Sequence, residues 1–472
     1  MLKTKVVCTL GPASSSGEMV ERLVREGMNV ARINMSHGTH EEHARTIERV
    51  RAAAEAVERP VAVLVDLQGP KIRVGHLESP LLLEPGREVT MAPEGEAGPG
   101  QVPTTYGALA RDLSAGDPVL LDDGRIELRC TATEGRSAVL EVIRGGMLES
   151  HKGINLPGVR IREDSLTPKD LVDLKFALEE GVDYVGLSFV RQASDVEGLR
   201  ERVDGRALLV AKIEQARALD AIEAILAATD AVMVARGDLG VELPFEQVPL
   251  AQKWIIQRAN AWGRPVITAT QMLESMLNEP RPTRAEASDV ANALLDGTDA
   301  VMLSGETATG SYPVESLQAM VRISAEIQGS GLMDLGPRYD VLTDGLTREG
   351  ATRREHAVAA ATLESVRQLS APAVVVITRS GFTARLVSSY RPPVPIFAVT
   401  TDPKVHRQLN LVWGVRPVLS RREEVTYEEL TKLGCRMVVD DGVGAEGQDV
   451  VVTAGFPFHI ARSTNTLRVE EL

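Results

Sequence analysis

Cysteine is scarce in this chain and occurs in no metal-binding arrangement. Cys8, Cys130 and Cys435 are odd in number, far apart and outside any CxxC or Cys/His spacing. Such usage is typical of reduced thiols in a cytoplasmic protein. We therefore expect a cytoplasmic location.

Long apolar runs are also missing. No stretch of about 18 apolar residues occurs, so the sequence predicts no transmembrane helix. The first ten residues lack a long apolar segment, and Gly11-Pro12 follows them at once. We interpret them as a first strand and not as an export signal, and we expect no membrane partner.

An excess of basic charge is the third absence. The 66 acidic residues outnumber the 52 lysines and arginines, and the net charge is −14. A general nucleic-acid binder needs clustered cations that release counterions from the phosphate backbone. We expect no nucleic-acid partner, and any polyanion must be held by a local site.

The composition that remains is that of a large globular protein. Hydrophobic residues make up 43% and charged residues 25% of the 472 positions. Single cores seldom grow beyond about 250 to 300 residues, so about three domains are expected.

Short apolar runs rich in β-branched residues recur eight times along most of the chain. They lie at 6–10, 30–34, 61–66, 184–189, 208–212, 231–235, 266–270 and 300–303. Most are separated by amphipathic stretches with helical spacing, at 17–26, 41–56, 168–180, 216–228 and 245–263. Continuous hydrophobicity favours parallel strands covered on both faces, and eight such units predict a (β/α)₈ barrel.

An insertion interrupts the barrel after the third strand. Turn signals at 85–86, 122–124 and 145–146 separate alternating runs at 87–91, 118–121, 126–130 and 138–143. This pattern predicts a small β domain over residues 71–166. The barrel would then comprise residues 1–70 and 167–341.

A third domain is predicted for residues 342–472. It follows a helix at about 313–327 and a Gly-rich polar linker at 329–350. A helix from about His356 and strands at 373–378, 396–399 and 450–453 then predict a separate α/β unit.

Polar residues cluster where the predicted barrel strands end. They are Arg32, Asn34, Ser36, His37, Asp66, Lys212, Glu214, Arg236, Gly237, Asp238, Thr270, Ser304 and Glu306. The C-terminal ends of barrel strands form the active-site face, although caps and turns of βα loops favour several of these residue types as well. Lys212 and Glu214 are two apart on a strand, so their side chains point the same way.

Two carboxylates at adjacent strand ends, Glu214 and Asp238, favour Mg²⁺, with Mn²⁺ as a possible substitute. Mg²⁺ held by so few side chains takes waters and a substrate phosphate as its other ligands. Arg32, Arg73 and Lys212 could neutralise that phosphate, and Gly237 would let backbone amides approach an anion closely. Phosphoryl transfer needs this kind of positioning and charge neutralisation.

Seven segments at these strand ends and in the insertion carry a resemblance to a known family. They resemble the signature segments of pyruvate kinases, in order and over essentially the whole chain: 31–38 (ARINMSHG), 66–73 (DLQGPKIR), 152–158 (KGINLPG), 212–214 (KIE), 234–242 (VARGDLGVE), 269–275 (ATQMLES) and 302–308 (MLSGETA).

The resemblance implies a fold and an activity. The fold would be a TIM barrel with an inserted small β-barrel lid domain and a C-terminal α/β regulatory domain. The activity would be transfer of the phosphoryl group of phosphoenolpyruvate to ADP, giving pyruvate and ATP in glycolysis. The partners would be these substrates and products and three further copies of the chain, in a homotetramer.

The resemblance also implies residue roles. Lys212 would neutralise the phosphoryl group in flight and the enolate oxygen, and Glu214 and Asp238 would bind Mg²⁺. Arg32 would bind the substrate phosphate, whereas Gly237, Asp238 and Thr270 would bind at the carboxylate side. Thr270 and Ser304 would organise protonation of the enolate carbon. Arg73, Lys152 and His37 would lie at the nucleotide.

One position departs from the pattern of many pyruvate kinases. These hold K⁺ with groups equivalent to Asn34, Ser36, Asp66 and the Leu67 carbonyl, and they carry Glu where this chain has Lys71. A lysine ammonium there could serve as an internal monovalent cation. We therefore expect that K⁺ is not required; the alternative is an exposed Lys71 in the hinge of the lid.

The third domain contains a candidate effector site. A strand runs into Thr378, Ser380, Gly381 and Thr383 before a helix, and Gly, hydroxyls and helix amides suit a phosphate. The resemblance places a phosphorylated allosteric effector here, near 455–465. A sugar phosphate and a nucleoside monophosphate would both fit, and an ordinary βα turn is the alternative.

Two other functions are compatible with parts of this pattern. A Mg²⁺-dependent, aldolase-like lyase of keto acids could use Lys212 as a Schiff base, but it leaves Arg73, Lys152 and the lid unexplained. A non-catalytic metabolite-sensing scaffold would need only the third domain's site, and intact Lys212, Glu214, Asp238 and Thr270 argue against it.

Overall fold

The computed structural model describes residues 2–333, 353–422, 425–456 and 464–472. Most of the predicted linker at 329–350, and most of the predicted effector-site loop at 455–465, lie outside these residues. The border expected between residues 341 and 342 lies outside them as well.

The first part of the barrel alternates strands and helices as expected. Its elements are β1 Lys5–Leu10, α1 Gly17–Glu26, β2 Val30–Asn34, α2 His40–Ala56 and β3 Ala62–Asp66. Side chains fix the helix starts: Ser16 accepts a hydrogen bond from the Met19 amide, and Thr39 forms a capping box with Glu42.

The insertion after β3 is an all-β unit with one short helix. Its elements are β4 Leu81–Leu83, β5 Glu88–Pro93, β6 Val102–Thr104, α3 Leu109–Asp112, β7 Pro118–Leu121, β8 Ile126–Glu134, β9 Ser137–Arg144, β10 Gly146–Leu148 and β11 Ile154–Asn155. Six strands form a sheet in the order β11-β7-β8-β9-β5-β6, and β10 pairs with β4. The unit has its own hydrophobic core, which includes Met91, Leu121, Leu128 and Leu140.

The second part of the barrel supplies five more strands. Its elements are α4 Pro168–Glu179, β12 Tyr184–Leu187, α5 Ala193–Val203, β13 Leu208–Ile213, α6 Ala216–Asp220, α7 Ile222–Ala228, β14 Ala231–Ala235, α8 Arg236–Glu242, α9 Val248–Ala261, β15 Val266–Ala269, α10 Arg284–Asp296, β16 Ala300–Leu303, α11 Gly305–Ala308 and α12 Pro313–Gly329. Short 3₁₀ helices occupy Phe245–Gln247 and Glu274–Leu277.

Eight parallel strands close the barrel in the order β1-β16-β15-β14-β13-β12-β3-β2, which confirms the predicted architecture. Side chains such as Val7, Leu64, Tyr184, Met233 and Met302 fill its interior. The barrel is therefore a packed core, and chemistry is confined to its ends.

Three of the predicted barrel elements differ clearly from the structure. The fourth strand ends at Leu187 and not at 189, because Phe189 has a left-handed backbone with φ 54°. The helix expected over 216–228 is divided at Ala221 into α6 and α7. The one expected over 245–263 begins with a 3₁₀ turn and is α-helical only from Val248 to Ala261.

The C-terminal unit is a five-stranded α/β sheet. Its elements are α13 Arg353–Leu369, β17 Val374–Ile377, α14 Phe382–Ser389, β18 Ile396–Thr400, α15 Pro403–Gln408, β19 Val415–Leu419, α16 Tyr427–Asp440, β20 Asp449–Ala454 and β21 Thr466–Glu471, with a 3₁₀ helix at Leu409–Leu411. The order is β19-β18-β17-β20-β21, and β21 alone runs antiparallel to its neighbour. Sequence analysis missed β19 and β21, which are the edge strands and carry Arg, Pro or several charges.

The C-terminal unit packs against the N-terminal ends of the barrel strands. Leu411 joins the hydrophobic cluster inside the barrel, and the Tyr184 hydroxyl donates to the Gln408 carbonyl at 2.6 Å. Arg391 and Arg407 form ion pairs with Asp299 and Asp183, which precede two barrel strands. The opposite end of the barrel is left for the candidate site.

Two further expectations concern thiols and membranes. Cys8, Cys130 and Cys435 are all free thiols. Across the four described stretches of the chain, no helix combines the length and the hydropathy that a bilayer crossing needs.

Candidate active site

Lys212 lies at the centre of the polar end of the barrel, near the end of β13. Its buried ammonium donates to the Ser188 hydroxyl at 2.7 Å and lies 2.9 Å from Glu214 Oε1 and 3.2 Å from Asp66 Oδ1. The side chains of Lys212 and Glu214 thus point the same way, as the sequence predicts. Ser188 was missed, because a serine directly after a strand is also an ordinary turn residue.

Arg32 and Asp66 form the second charged pair of the site. Neighbouring strands β2 and β3 carry them, and Arg32 Nε and Nη2 donate to Asp66 Oδ2 at 2.8 and 2.6 Å. Arg32 Nη1 also donates to the Thr9 hydroxyl at 3.0 Å. The guanidinium is therefore held in one orientation within the barrel mouth.

These contacts keep both Asp66 and Lys212 charged at neutral pH. Burial alone would raise the pKa of the Asp66 carboxyl, but the positive charges of Lys212 and Arg32 outweigh it and lower that pKa. Burial likewise opposes a charged Lys212, yet Asp66 and Glu214 raise the pKa of its ammonium. The mouth of the barrel thus holds a buried, permanently positive ammonium.

Glu214 and Asp238 have the chemistry of a divalent-cation site. Burial and then the negative charge of Asp238 raise the pKa of Glu214, although Lys212 acts in the opposite direction. Two carboxylates that repel each other, the buried Glu214 and the partly exposed Asp238, fit a cation between them. Among the described residues no group of three or more His, Cys, Asp or Glu could hold a metal, so a metal here would need ligands from substrate or water.

Lys71 lies in the connection from the barrel to the inserted unit and reaches the same place. Its ammonium is 3.8 Å from Asp238 Oδ1, and its side chain is about one-third exposed. The lysine is therefore paired with a predicted metal ligand, a contact that sequence analysis did not anticipate.

The residues expected to form a monovalent-cation site are neighbours in the barrel. Asn34 and Asp66 are opposite each other in the register of β2 and β3, and Asn34 Oδ1 accepts the Ser36 amide at 3.1 Å. The Leu67 carbonyl accepts the Ser188 hydroxyl at 2.7 Å. Ser188 therefore links this group to Lys212.

Thr270 follows β15 with a left-handed backbone, φ 64°. Its Oγ1 accepts the Gly237 amide at 2.7 Å and donates to the Ala269 carbonyl at 2.6 Å. Two residues expected at the substrate carboxylate, Thr270 and Gly237, are thus brought into direct contact.

Ser304 follows β16 and has an unsatisfied side chain. Its amide donates to Glu306 Oε2 at 2.7 Å, but its buried Oγ finds no hydrogen-bond partner among the described residues. Glu306 also accepts the Leu273 amide at 3.1 Å, so it joins the ends of β15 and β16. A buried hydroxyl without a partner is a feature that a bound ligand could satisfy.

The residues expected at the nucleotide are more dispersed. Arg73 donates to the His151 carbonyl at 3.0 Å, and Lys152 is 3.0 Å from Asp122 and 3.3 Å from Glu149. Arg73 and Gly153 form an isolated β-bridge, so Arg73 and Lys152 lie close together. His37 is exposed at the end of β2 and belongs to the barrel.

Three candidate effector residues, Thr378, Ser380 and Gly381, lie between β17 and α14, and Thr383 is the second residue of α14. Thr378 and Thr383 are buried, and the Thr383 hydroxyl is hydrogen-bonded to that of Thr464 at 2.8 Å. Gly381 adopts φ 77° directly before α14, and the Ser380 carbonyl accepts Arg385 Nη2 at 3.2 Å.

Comparisons with known proteins agree with this architecture. The family model for the pyruvate kinase barrel domain matches residues 1–317, and that for the pyruvate kinase alpha/beta domain matches residues 356–470. The chain is similar to the pyruvate kinase of Geobacillus stearothermophilus, with 44% identity over 475 residues. It is 42% identical over 476 residues to the pyruvate kinase of Staphylococcus aureus strain MRSA252. Each alignment spans 99% of this chain and 80% of the relative. The chain therefore belongs to the pyruvate kinase family.

Proposed function

We propose that this chain transfers the phosphoryl group of phosphoenolpyruvate to ADP and releases pyruvate and ATP. The observation that carries the proposal is the buried Lys212 ammonium, kept protonated by Asp66 and Glu214 at the polar end of the barrel. A fixed positive charge in a place shielded from water stabilises a phosphoryl group in flight. The matches to pyruvate kinases do not support the lyase alternative.

Each charged group of the site has a part in this reaction. Arg32, oriented by Asp66, would bind the phosphate of phosphoenolpyruvate. Lys212 would neutralise the transferring group and then the enolate oxygen left behind. Glu214 and Asp238 would hold Mg²⁺, which would supply positive charge to reduce the negative charge on the phosphate.

The enolate must then gain a proton at carbon to become the methyl group of pyruvate. Thr270 and Ser304 follow neighbouring strands β15 and β16, and no residue in the described part of the chain hydrogen-bonds the Ser304 hydroxyl. We assign Thr270 to organising this protonation, together with Ser304. Gly237, whose amide meets Thr270 Oγ1, would bind the carboxylate side of the substrate.

A turnover assay tests the activity directly. Pyruvate formation from phosphoenolpyruvate and ADP with Mg²⁺ is followed in the full chain. The metabolite-sensing scaffold predicts binding without turnover, and the lyase predicts borohydride trapping of a keto acid on Lys212. Either result in place of turnover would overturn the proposal.

The nucleotide is expected between the barrel and the inserted lid. Arg73 and Lys152 lie together on the lid side, and Lys152 is paired with Asp122 and Glu149 in the structure. ADP phosphates would have to displace these carboxylates from Lys152. Lys152→Met should therefore raise the KM for ADP more than it lowers kcat, and Lys175→Met on an exposed helix face is the control.

We further infer that Lys71 removes the need for K⁺. The contact that supports the inference is that of the Lys71 ammonium with Asp238 Oδ1, at 3.8 Å. The full chain should be active in K⁺-free buffer, and Lys71→Glu should make activity depend on added K⁺. Lys175→Glu is the control. A gain of orders of magnitude when K⁺ is added to the unaltered chain would contradict this inference.

A phosphorylated effector is proposed for the loop of Thr378, Ser380, Gly381 and Thr383. Support comes from the glycine at φ 77° before α14 and the buried Thr383 hydroxyl. Activity is measured with sugar phosphates and with nucleoside monophosphates in separate series. Activation that is lost in Ser380→Glu would support the site, and unchanged activation would exclude it.

A homotetramer is proposed from an exposed apolar surface on the barrel. Its residues lie in the 3₁₀ turn Phe245–Gln247 and in α9, which follows that turn. They are Phe245, Leu250 and Trp254, and they are 85%, 69% and 39% exposed. Large exposed apolar groups that lie together mark interfaces. Light scattering should give a tetramer, and the double variant Phe245→Glu, Leu250→Glu should weaken it. A monomeric unaltered chain would refute the proposal.

The free thiols support a cytoplasmic location, which stays a prediction.

A further inference from the structure

The turn after β15 has an unusual backbone. Thr270 and Gln271 adopt φ 64° and 54°, in the left-handed region. This region is unfavourable for β-branched side chains and is kept only where surrounding contacts impose it. The groups that impose it here determine where the Thr270 hydroxyl points.

Arg236, the first residue of α8, supplies those contacts. Its Nε and Nη2 donate to the Thr270 carbonyl at 3.1 and 2.8 Å, and Nη2 also donates to the Gln271 carbonyl at 2.9 Å. Both carbonyls that the left-handed turn directs away from the strand are thus bound by one guanidinium. A planar fork can satisfy two adjacent carbonyls, which a lysine ammonium cannot do in the same geometry.

The guanidinium is itself anchored from the other side. Arg236 is 9% exposed, and its Nη1 lies 2.7 Å from Asp289 Oδ2 on α10 and donates to Gln252 Oε1 on α9 at 3.3 Å. The orientation of Thr270 is therefore fixed by two outer helices of the barrel through a single arginine.

We infer that Arg236 is a positioning residue, which holds Thr270 in its left-handed conformation and so sets the rate of enolate protonation more than that of phosphoryl transfer. The inference rests on the proposed function, in which Thr270 organises protonation. Lys212 is anchored independently, by Ser188, Glu214 and Asp66, so the two steps are separable.

The test compares Arg236→Met with Arg200→Met. Arg200 is a matched control, because its Nε and Nη2 donate to the Ala228 carbonyl at 3.1 and 2.8 Å and it pairs with Asp230 at 2.9 Å, away from the candidate site. Protonation is measured by NMR as the exchange of pyruvate methyl protons with deuterated water on the enzyme with Mg²⁺ and ATP. Steady-state kcat and both KM values are measured in parallel.

Arg236→Met should slow methyl exchange about 100-fold, with the KM for ADP within about twofold of the unaltered value. Arg236→Lys should recover part of the exchange, since an ammonium can donate to one of the two carbonyls. Thr270→Ala should slow exchange by itself, and adding Arg236→Met to it should cause little further loss, because both changes remove the same alignment.

Several outcomes would overturn the inference. One is additive loss in the double variant, and another is an equal fall in exchange for Arg236→Met and Arg200→Met. If Arg236→Met fails to fold, Asp289→Asn is used in its place, because it keeps the guanidinium and removes only the charge that anchors it. Normal methyl exchange in Asp289→Asn would also count against the inference. Failure of the proposed function is distinct, since the unaltered chain would then show no turnover of phosphoenolpyruvate and ADP.

Discussion

The two ends of the barrel bury charged groups in opposite ways. At the N-terminal end, Asp183 accepts Arg407 at one oxygen, and Arg51 and the Val63 amide at the other, at 2.8 to 2.9 Å. Asp299 accepts Arg391 at both oxygens and the Val266 amide at 3.0 Å. Both oxygens of each carboxylate are satisfied within the protein.

The C-terminal end leaves part of the hydrogen-bonding capacity of its buried polar groups unused. Within the four described stretches, Asp66 Oδ1 has the Lys212 ammonium nearby but no well-aligned hydrogen bond, and Ser304 Oγ has no hydrogen-bond partner. Thr270 also has a left-handed backbone there. The difference teaches that one end binds both oxygens of each buried carboxylate in an interface with the C-terminal unit, whereas the other keeps polar groups for a ligand, as function often requires at the expense of stability.

The largest expected effect is at the C-terminal end. Lys212→Met should lower kcat about 10³-fold or more, which corresponds to about 4 kcal/mol in the barrier, because the transferring charge loses its fixed cation. The melting temperature is measured in parallel, because Asp66 keeps Arg32 whereas the buried Glu214 loses its cation. The coupled turnover assay measures the loss, with Lys175→Met as control; more than a tenth of the original activity would contradict the assigned role.

Arg391→Met should show the reverse pattern at the N-terminal end. Removing one partner of a buried ion pair costs about 3 to 5 kcal/mol, because the other charge is left buried and unpaired. We expect earlier unfolding in urea and kcat within about threefold of the unaltered value. Exposed Arg25→Met is the control, and a stable but inactive variant would reverse the comparison.

Lys5 tests whether the N-terminal end of the barrel can bury a charged lysine that has no carboxylate among the causes of its pKa shift. Burial, followed by repulsion from Arg59 and Arg416, lowers the pKa of Lys5 to about 7 in the folded chain. The unfolded chain still binds this proton up to about pH 10, so stability should rise between pH 7 and 10, by up to about 1.4 kcal/mol per pH unit.

Lys5→Met should remove this rise in stability between pH 7 and 10. Below pH 7 Lys5 is protonated in both the folded and the unfolded chain, so it adds no pH dependence there. Urea midpoints at pH 7, 8, 9 and 10 measure it for both chains. Parallel curves for the unaltered chain and Lys5→Met would show that Lys5 is not neutral in the folded state.

Ser304→Ala should have the smallest effect. The Ser304 hydroxyl makes no hydrogen bond with the residues that the structure describes. Its removal should therefore leave the free energy of unfolding within about 1 kcal/mol of the original value or raise it slightly. Turnover should fall about five- to tenfold, the equivalent of one hydrogen bond of about 1 kcal/mol. A clear loss of stability would show that the hydroxyl is satisfied in the folded chain.

Much of the fold could be predicted because local pattern decides it. The eight apolar runs are the eight barrel strands, and capping by Ser16 and Thr39 starts α1 and α2. The edge strands β19 and β21 were missed, since edge strands tolerate Arg, Pro and several charges that central strands exclude. The break at Ala221 was missed because the apolar spacing continues through it.

The sequence by itself determined which strand ends carry charge, and it determined that Lys212 and Glu214 point the same way, because a strand has a period of two. Only the tertiary structure decided that Ser188 joins Lys212 to the Leu67 carbonyl and that Lys71 meets Asp238. It also decided that Arg236 binds the carbonyls of a turn 34 residues away. These contacts join loops that are distant in sequence, and closure of the barrel, not local propensity, brings them together.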